Sequence, residues 1–147
     1  MSFDLYLLKF SKGEGCELPR EAIRSVLETC DCKQRDEHFY DVTLTDGSRV
    51  ELQANGLSGP NRFGLCVFLL RDSNKTVLNF VFNVMKASGG VLIPPSGNPR
   101  ILGDANQRAE LPADFAPPGT LITITECHSV EELSQMLRGT YQPPSPN

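Results

Sequence analysis

The stretch 76–104, TVLNFVFNVMKASGGVLIPPSGNPRILGD, constrains the fold more than any other part of this chain. An apolar run ends at Gly89-Gly90, the short segment Val91-Leu92-Ile93 runs into Pro94-Pro95, and a second short strand, RILGD, follows a Pro/Gly/Asn turn. The hydrophobic core must form around it. Two periodicities compete at its start. TVLNFVF alternates and is rich in strand-forming residues. Val77, Val81, Val84 and Met85 instead make a helical stripe, widened by Leu78 and Phe82. Cap candidates at Asp72-Ser73-Asn74 and a left-handed stop at Gly89-Gly90 favour a helix over 74–88.

The flanking sequence supplies strands and two further helices. Phe3, Leu5 and Leu7 alternate with Asp4, Tyr6 and Leu8, a strand pattern whose second face is apolar enough to be mostly covered. It ends at Lys9, and Lys-Gly-Glu-Gly at 12–15 forms the turn. Pro19 sits where proline begins a helix, and Ala22, Ile23, Val26, Leu27 and Cys30 share one face of a helix 19–30. DCKQRDEH reads as a charged connector. Thr45-Asp46-Gly47-Ser48 then joins two alternating segments, and Asp-Gly there predicts a tight turn with positive φ at both central residues. Residues 62–71 read as a buried strand. The segment 96–118 is loop-rich, with Pro99, Pro112, Pro117 and Pro118 and only Ile101-Leu102 strand-like. TLITITE at 120–126 alternates cleanly. Ser129 and Glu132 form a capping box, opening a helix 130–138 with Val130, Leu133, Met136 and Leu137 inward and Gly139 as its stop.

Antiparallel strands with interspersed helices predict the α+β class. The expected form is a mixed or mainly antiparallel sheet with about three helices packed on one face. The 147 residues fit a single domain over 1–139, with a flexible tail at 140–147. Twelve glycines and 11 prolines suit a turn-rich fold better than a helical bundle.

A net charge of −4 argues against a nucleic-acid partner and permits a basic one. Five irregularly spaced cysteines make no disulfide framework, which suits reduced thiols and a cytoplasmic location. The N-terminus lacks the basic start of a secretory signal, and no apolar run approaches the roughly 20 residues of a membrane span.

No motif specifies catalysis. Cys30-x-Cys32 with His38 has too short a spacing for a structural zinc site. Cys127 and His128 are adjacent, so on a strand they point to opposite faces. Gly13-x-Gly15 lacks the third glycine and the strand–helix–strand context of a dinucleotide site. No cofactor, metal or catalytic residue is expected. The acidic residues are more informative. Asp31, Asp36, Glu37, Asp41, Asp46 and Glu51 concentrate in one segment, interrupted by Lys33, Arg35 and Arg49. Negative surfaces speed encounter with basic partners. The region 31–51 is therefore the expected partner-binding surface. A small enzyme or ligand-binding domain is the alternative, with a cleft near 94–118 where Arg100, Asp104 and Arg108 would converge.

Two blocks carry a resemblance. SFDLYLL at the N-terminus resembles the opening strand of small bacterial proteins encoded beside polymorphic toxins. VFNVMKASGGVLIPPSGNPRIL is similar to their helix, glycine-containing turn and short strand. Those proteins are immunity proteins, which bind and neutralise a cognate secreted toxin. The resemblance implies a cytoplasmic, non-enzymatic protein that works by covering a toxin's active site. Its motifs are structural and transfer no binding residues.

Overall fold

In the computed structural model, which describes residues 3–117 and 119–138, the chain folds as predicted into the α+β class. Nine strands form one sheet: β1 (Phe3–Ser11), β2 (Glu14–Cys16), β3 (Asp31–Gln34), β4 (Phe39–Thr43), β5 (Arg49–Gln53), β6 (Cys66–Leu70), β7 (Val91–Ile93), β8 (Arg100–Leu102) and β9 (Ile124–Glu126). The order is β3-β4-β5-β6-β1-β7-β8-β9, with β2 paired to the far end of β1. Every pairing is antiparallel except β8 with β9. Helices α1 (Arg20–Glu28), α2 (Lys75–Ser88) and α3 (Val130–Arg138), with a 3₁₀ helix at Ala105–Glu110, complete the elements.

Cross-strand register sorts the side chains onto two faces, because paired residues share a face and neighbours alternate. Leu5 opposes Phe68, Leu52 opposes Phe68 from the other side, Val42 opposes Val50, and Leu7 opposes Leu92. All are buried, and they join one cluster with Ile23 and Leu27 of α1, the apolar side of α2, and Leu133 and Met136 of α3. The helices thus share one face of the sheet. Helix α2 packs against both others, and Phe80 meets Phe68 edge to face at 6.1 Å. Val77, Leu78, Phe80, Val81, Val84 and Met85 are all at most 3% exposed. Each such side chain contributes about 1.5–3 kcal/mol, so this helix anchors the core.

The caps of α2 are those expected. Asn74 accepts a hydrogen bond from the Val77 amide at 2.9 Å, and Gly89 takes the left-handed conformation. Gly90 serves a different need. A Cβ there would lie 2.3 Å from the Leu8 carbonyl oxygen, so only glycine lets the chain re-enter beside β1. The capping box of α3 also forms. Ser129 Oγ accepts from the Glu132 amide at 3.1 Å, while the Glu132 carboxylate accepts from the His128 amide, one residue before the cap.

Several expectations are corrected. The connector 31–38 contains β3, an edge strand with a single half-buried core-facing cysteine, Cys32. The first strand runs on to Ser11, and its turn is Lys12-Gly13, both at positive φ, which leaves Glu14–Cys16 as the short β2. The 44–48 turn is not the tight primed type. Gly47 alone has positive φ (87°), and Leu44 bonds Ser48, a three-residue loop that ends on a left-handed glycine. The buried strand at 62–71 forms only from Cys66, because the Phe63 carbonyl accepts from the Leu18 amide instead. TLITITE is a strand only from Ile124. Upstream, the Asn98 side chain bonds the Thr123 amide (2.8 Å) and the Leu121 carbonyl (3.0 Å), replacing a ladder, and Leu121 is 91% exposed. The Gly139 stop and the tail 140–147 lie outside the described residues.

Candidate functional site

The face of the sheet opposite the helices is divided. Over β7 to β9 it is roofed. Val91, Leu102 and Phe115 are buried together, with Phe10, Ile93, Leu111 and Ile124 packed around them. The roof comes from the segment 105–117, and Gln107 fastens it by bonding both the amide (2.9 Å) and the carbonyl (3.0 Å) of Phe10. Phe10 and Phe115 meet edge to face at 5.0 Å.

Over β3 to β6 the face is open. One cross-strand row runs Lys33, Asp41, Glu51, Leu69, Asp4. A second runs Asp31, Thr43, Arg49. A third runs Phe39, Gln53, Val67, Tyr6, Ile93. Lys33, Arg35, Asp41, Thr43, Arg49, Glu51, Leu69 and Arg71 line a depression of about 420 Å³. Arg35 grips the Asp41 carboxylate with two hydrogen bonds (2.6 and 3.1 Å) and lies over the Phe39 ring at 5.5 Å. Glu51 sits between Arg35 (3.6 Å) and Arg71 (3.5 Å). The bond from Arg35 holds the Asp41 carboxyl below its ordinary value. Next to the charged rows stand Tyr6 (38% exposed) and Leu65 (39% exposed), large side chains left to solvent.

The six acidic residues of the sequence reading are brought to one hairpin ribbon but not to one task. Asp31, Asp41 and Glu51 share the open face. Asp36 and Glu37 sit in the β3–β4 turn, at the opposite end of β4 from Asp46. Asp36 holds that turn by accepting from the amides of His38 (2.8 Å) and Phe39 (3.0 Å), which lowers its pKa. Asp46 does the same in the next turn, accepting from the Ser48 amide at 2.9 Å, again with a lowered pKa. Asp41 and Glu51 are neutralised by arginines. Of the six, only the side chains of Asp31 and Glu37 make no hydrogen bond or ion pair among the described residues. The surface is of mixed charge, and the cations that looked like interruptions supply half of it. Sequence reasoning missed Tyr6, Leu65 and Arg71 as part of it. Tyr6 was legible as the polar-tipped residue on the second face of β1, whereas Arg71 becomes a neighbour only through register.

Arg100, Asp104 and Arg108 are each engaged separately. Arg100 stacks on Phe115 at 4.3 Å, Asp104 caps the 3₁₀ helix through the Asn106 amide (3.0 Å), and Arg108 bonds the Ile124 carbonyl (3.2 Å) and faces Glu126 (3.8 Å). Three other depressions, of about 300 to 400 Å³, lie beside the helices, and none of the three residues lines them. The largest of these, about 400 Å³, is bounded by α1, α2 and the end of β4, with Val26 and Phe80 beside Thr76, Asn79 and Asn83.

All five cysteines are unpaired. Cys66 is fully buried, and burial pushes its thiol up. Cys127 is 1% exposed with its thiol pushed up to about 11 by burial, while its neighbour His128 is exposed and faces Glu126 at 3.8 Å. One side chain is thus buried and the other exposed, although both residues lie just past the end of β9 rather than on a strand. Among the described residues no group of three or more His, Cys, Asp and Glu could hold a metal ion, and no helix is long and apolar enough to cross a membrane. Compared with protein-family models, with curated proteins and with solved structures, the chain matches none of them.

Proposed function

We propose that this chain is an immunity-type protein, which binds a cognate secreted toxin in the cytoplasm and neutralises it by covering the toxin's active site. The observation that carries this reading is the open half of the sheet. It combines exposed Tyr6 and Leu65 with Arg35, Arg49 and Arg71, on paired strands and at their ends. Tyrosine and arginine are the residues that dominate binding energy at protein interfaces. The N-terminal block of the resemblance supplies Tyr6 itself.

Size sets a further condition. Five strands, β3 to β6 with the adjoining β1, spaced about 4.8 Å apart and about 16 Å long give roughly 400 Å² of flat face, about half of the ~800 Å² each partner buries in a stable complex. A footprint of that size extends past the sheet, and the β3–β4 turn with Glu37 and the loop at Leu65 adjoin it.

The test is protection of cells that express the toxin encoded beside this chain. Replacing Tyr6 and Leu65 together by alanine should weaken the complex by about 2 kcal/mol or more and abolish protection at low expression. Full protection by that double variant would contradict the reading. A second reading, a small ligand-binding domain, has in its favour the 400 Å³ groove between α1 and α2, a volume within the range of ligand sites. It predicts that Asn79→Ala and Asn83→Ala, with the open face intact, remove the function.

A further inference from the structure

The charge balance on the open face reverses the expectation about the partner. The chain carries −4, but the depression on the open face is lined by four cations, Lys33, Arg35, Arg49 and Arg71, and two carboxylates, Asp41 and Glu51. Both carboxylates already have guanidinium partners. The side chains of Lys33 and Arg49 form no hydrogen bond or ion pair among the described residues, Arg49 acting on Asp41 only at longer range, and Arg71, with its side chain 81% exposed, reaches Glu51 with one nitrogen only. The unmet charge in the depression is therefore positive. Asp31 and Asp4 flank it on the same face, at the ends of their cross-strand rows, and keep the cationic character local.

We infer that the docking partner places aspartate or glutamate side chains, rather than a basic surface, into this depression, between Lys33, Arg49 and Arg71. This rests on the reading of the open face as the docking surface. Carboxylates suit the planar fork of arginine, which can hold both of their oxygens. A protein surface suits the site better than a nucleic acid does. Duplex DNA presents a charge about every 1.7 Å, and such a row would lie against Asp41 and Glu51, whereas a protein can set its own cations opposite those two. Of the carboxylates of 31–51 on which the expected basic partner rested, Asp36 and Asp46 are used within turns and Asp41 and Glu51 within ion pairs.

The experiment titrates the full chain, observed through its backbone amide resonances, with an oligo-glutamate peptide, an oligo-lysine peptide and an oligodeoxythymidylate. The expected result is salt-sensitive movement of the Lys33, Thr43, Arg49 and Arg71 resonances with oligo-glutamate alone. The double variant Lys33→Glu with Arg49→Glu, whose side chains are exposed and whose fold is checked by the same spectrum, should bind it about tenfold or more weakly. Movement of these resonances with oligo-lysine, equal or tighter binding of the oligodeoxythymidylate, or no response to oligo-glutamate would each overturn the inference. The double variant is also assayed for toxin protection. Oligo-glutamate binding at the site, together with full protection by the variant, would keep the acidic-ligand site and remove the docking role. Lost protection without oligo-glutamate binding would do the opposite.

Discussion

On the side of the sheet away from the helices, β7 to β9 lie under Phe115, Leu111 and Phe10, while β3 to β6 hold Lys33, Asp41, Glu51 and Arg49 out to solvent. Both halves belong to one sheet with one continuous ladder. The roofed half is built by apolar contact and a buried amide, Gln107, so its side chains serve stability. The open half is built by ion pairs between side chains largely in water, which contribute little to stability. A face kept ordered without a structural need for its charges is free to be shaped by a partner. The difference locates the candidate site more firmly than any single motif does.

The comparison is sharpened first by Phe115→Ala. It removes the centre of the roof, and stability should fall by about 3 kcal/mol, read by chemical denaturation. A loss under about 1 kcal/mol would mean the roof is loosely held and the two halves are alike. Gly90→Ala comes next. Its new Cβ would meet the Leu8 carbonyl, and forcing β1 and β7 apart should cost about 2 kcal/mol. Arg35→Ala on the open half should leave the denaturation midpoint almost unchanged while releasing Asp41.

Acid gives the smallest effect, and it should be confined to one half. The carboxyls of Asp36, Asp41 and Asp46 are held below their ordinary value of 3.8 by bonds from the His38 amide, Arg35 and the Ser48 amide. Their folded pKa values are depressed. The stabilisation is therefore complete above that ordinary value and is lost as pH falls through the lower folded values. Amide resonances of His38, Phe39 and Ser48 should shift in that acid range while those of Leu102 and Phe115 stay still. Simultaneous movement of both sets would show global unfolding instead.

Much of the fold was legible because the core writes itself into spacing. The stripe of α2, the box at Ser129 and Glu132, and the alternation of β1 each encode burial within a few neighbouring residues. The edge strand β3 was not legible. It shows the core only Cys32 and otherwise alternates Asp31 and Lys33 outward, the composition by which edges avoid pairing with other chains. The roof was hidden because Leu111 and Phe115 are isolated apolar residues in a proline-rich loop. The acidic segment was visible as a charge count, but Arg35 pairs with Asp41 across a turn and Arg71 with Glu51 across two strands. Those pairings depend on register, which the one-dimensional pattern does not contain.

The most direct test of the open face as the working surface is backbone hydrogen exchange of the chain, alone and in the presence of the toxin proposed as its partner. The account predicts new protection in the β3–β4 turn, through β4 and β5, and at the loop before β6, with none added over α1 to α3. Protection confined to the helices, or no complex at all, would contradict it.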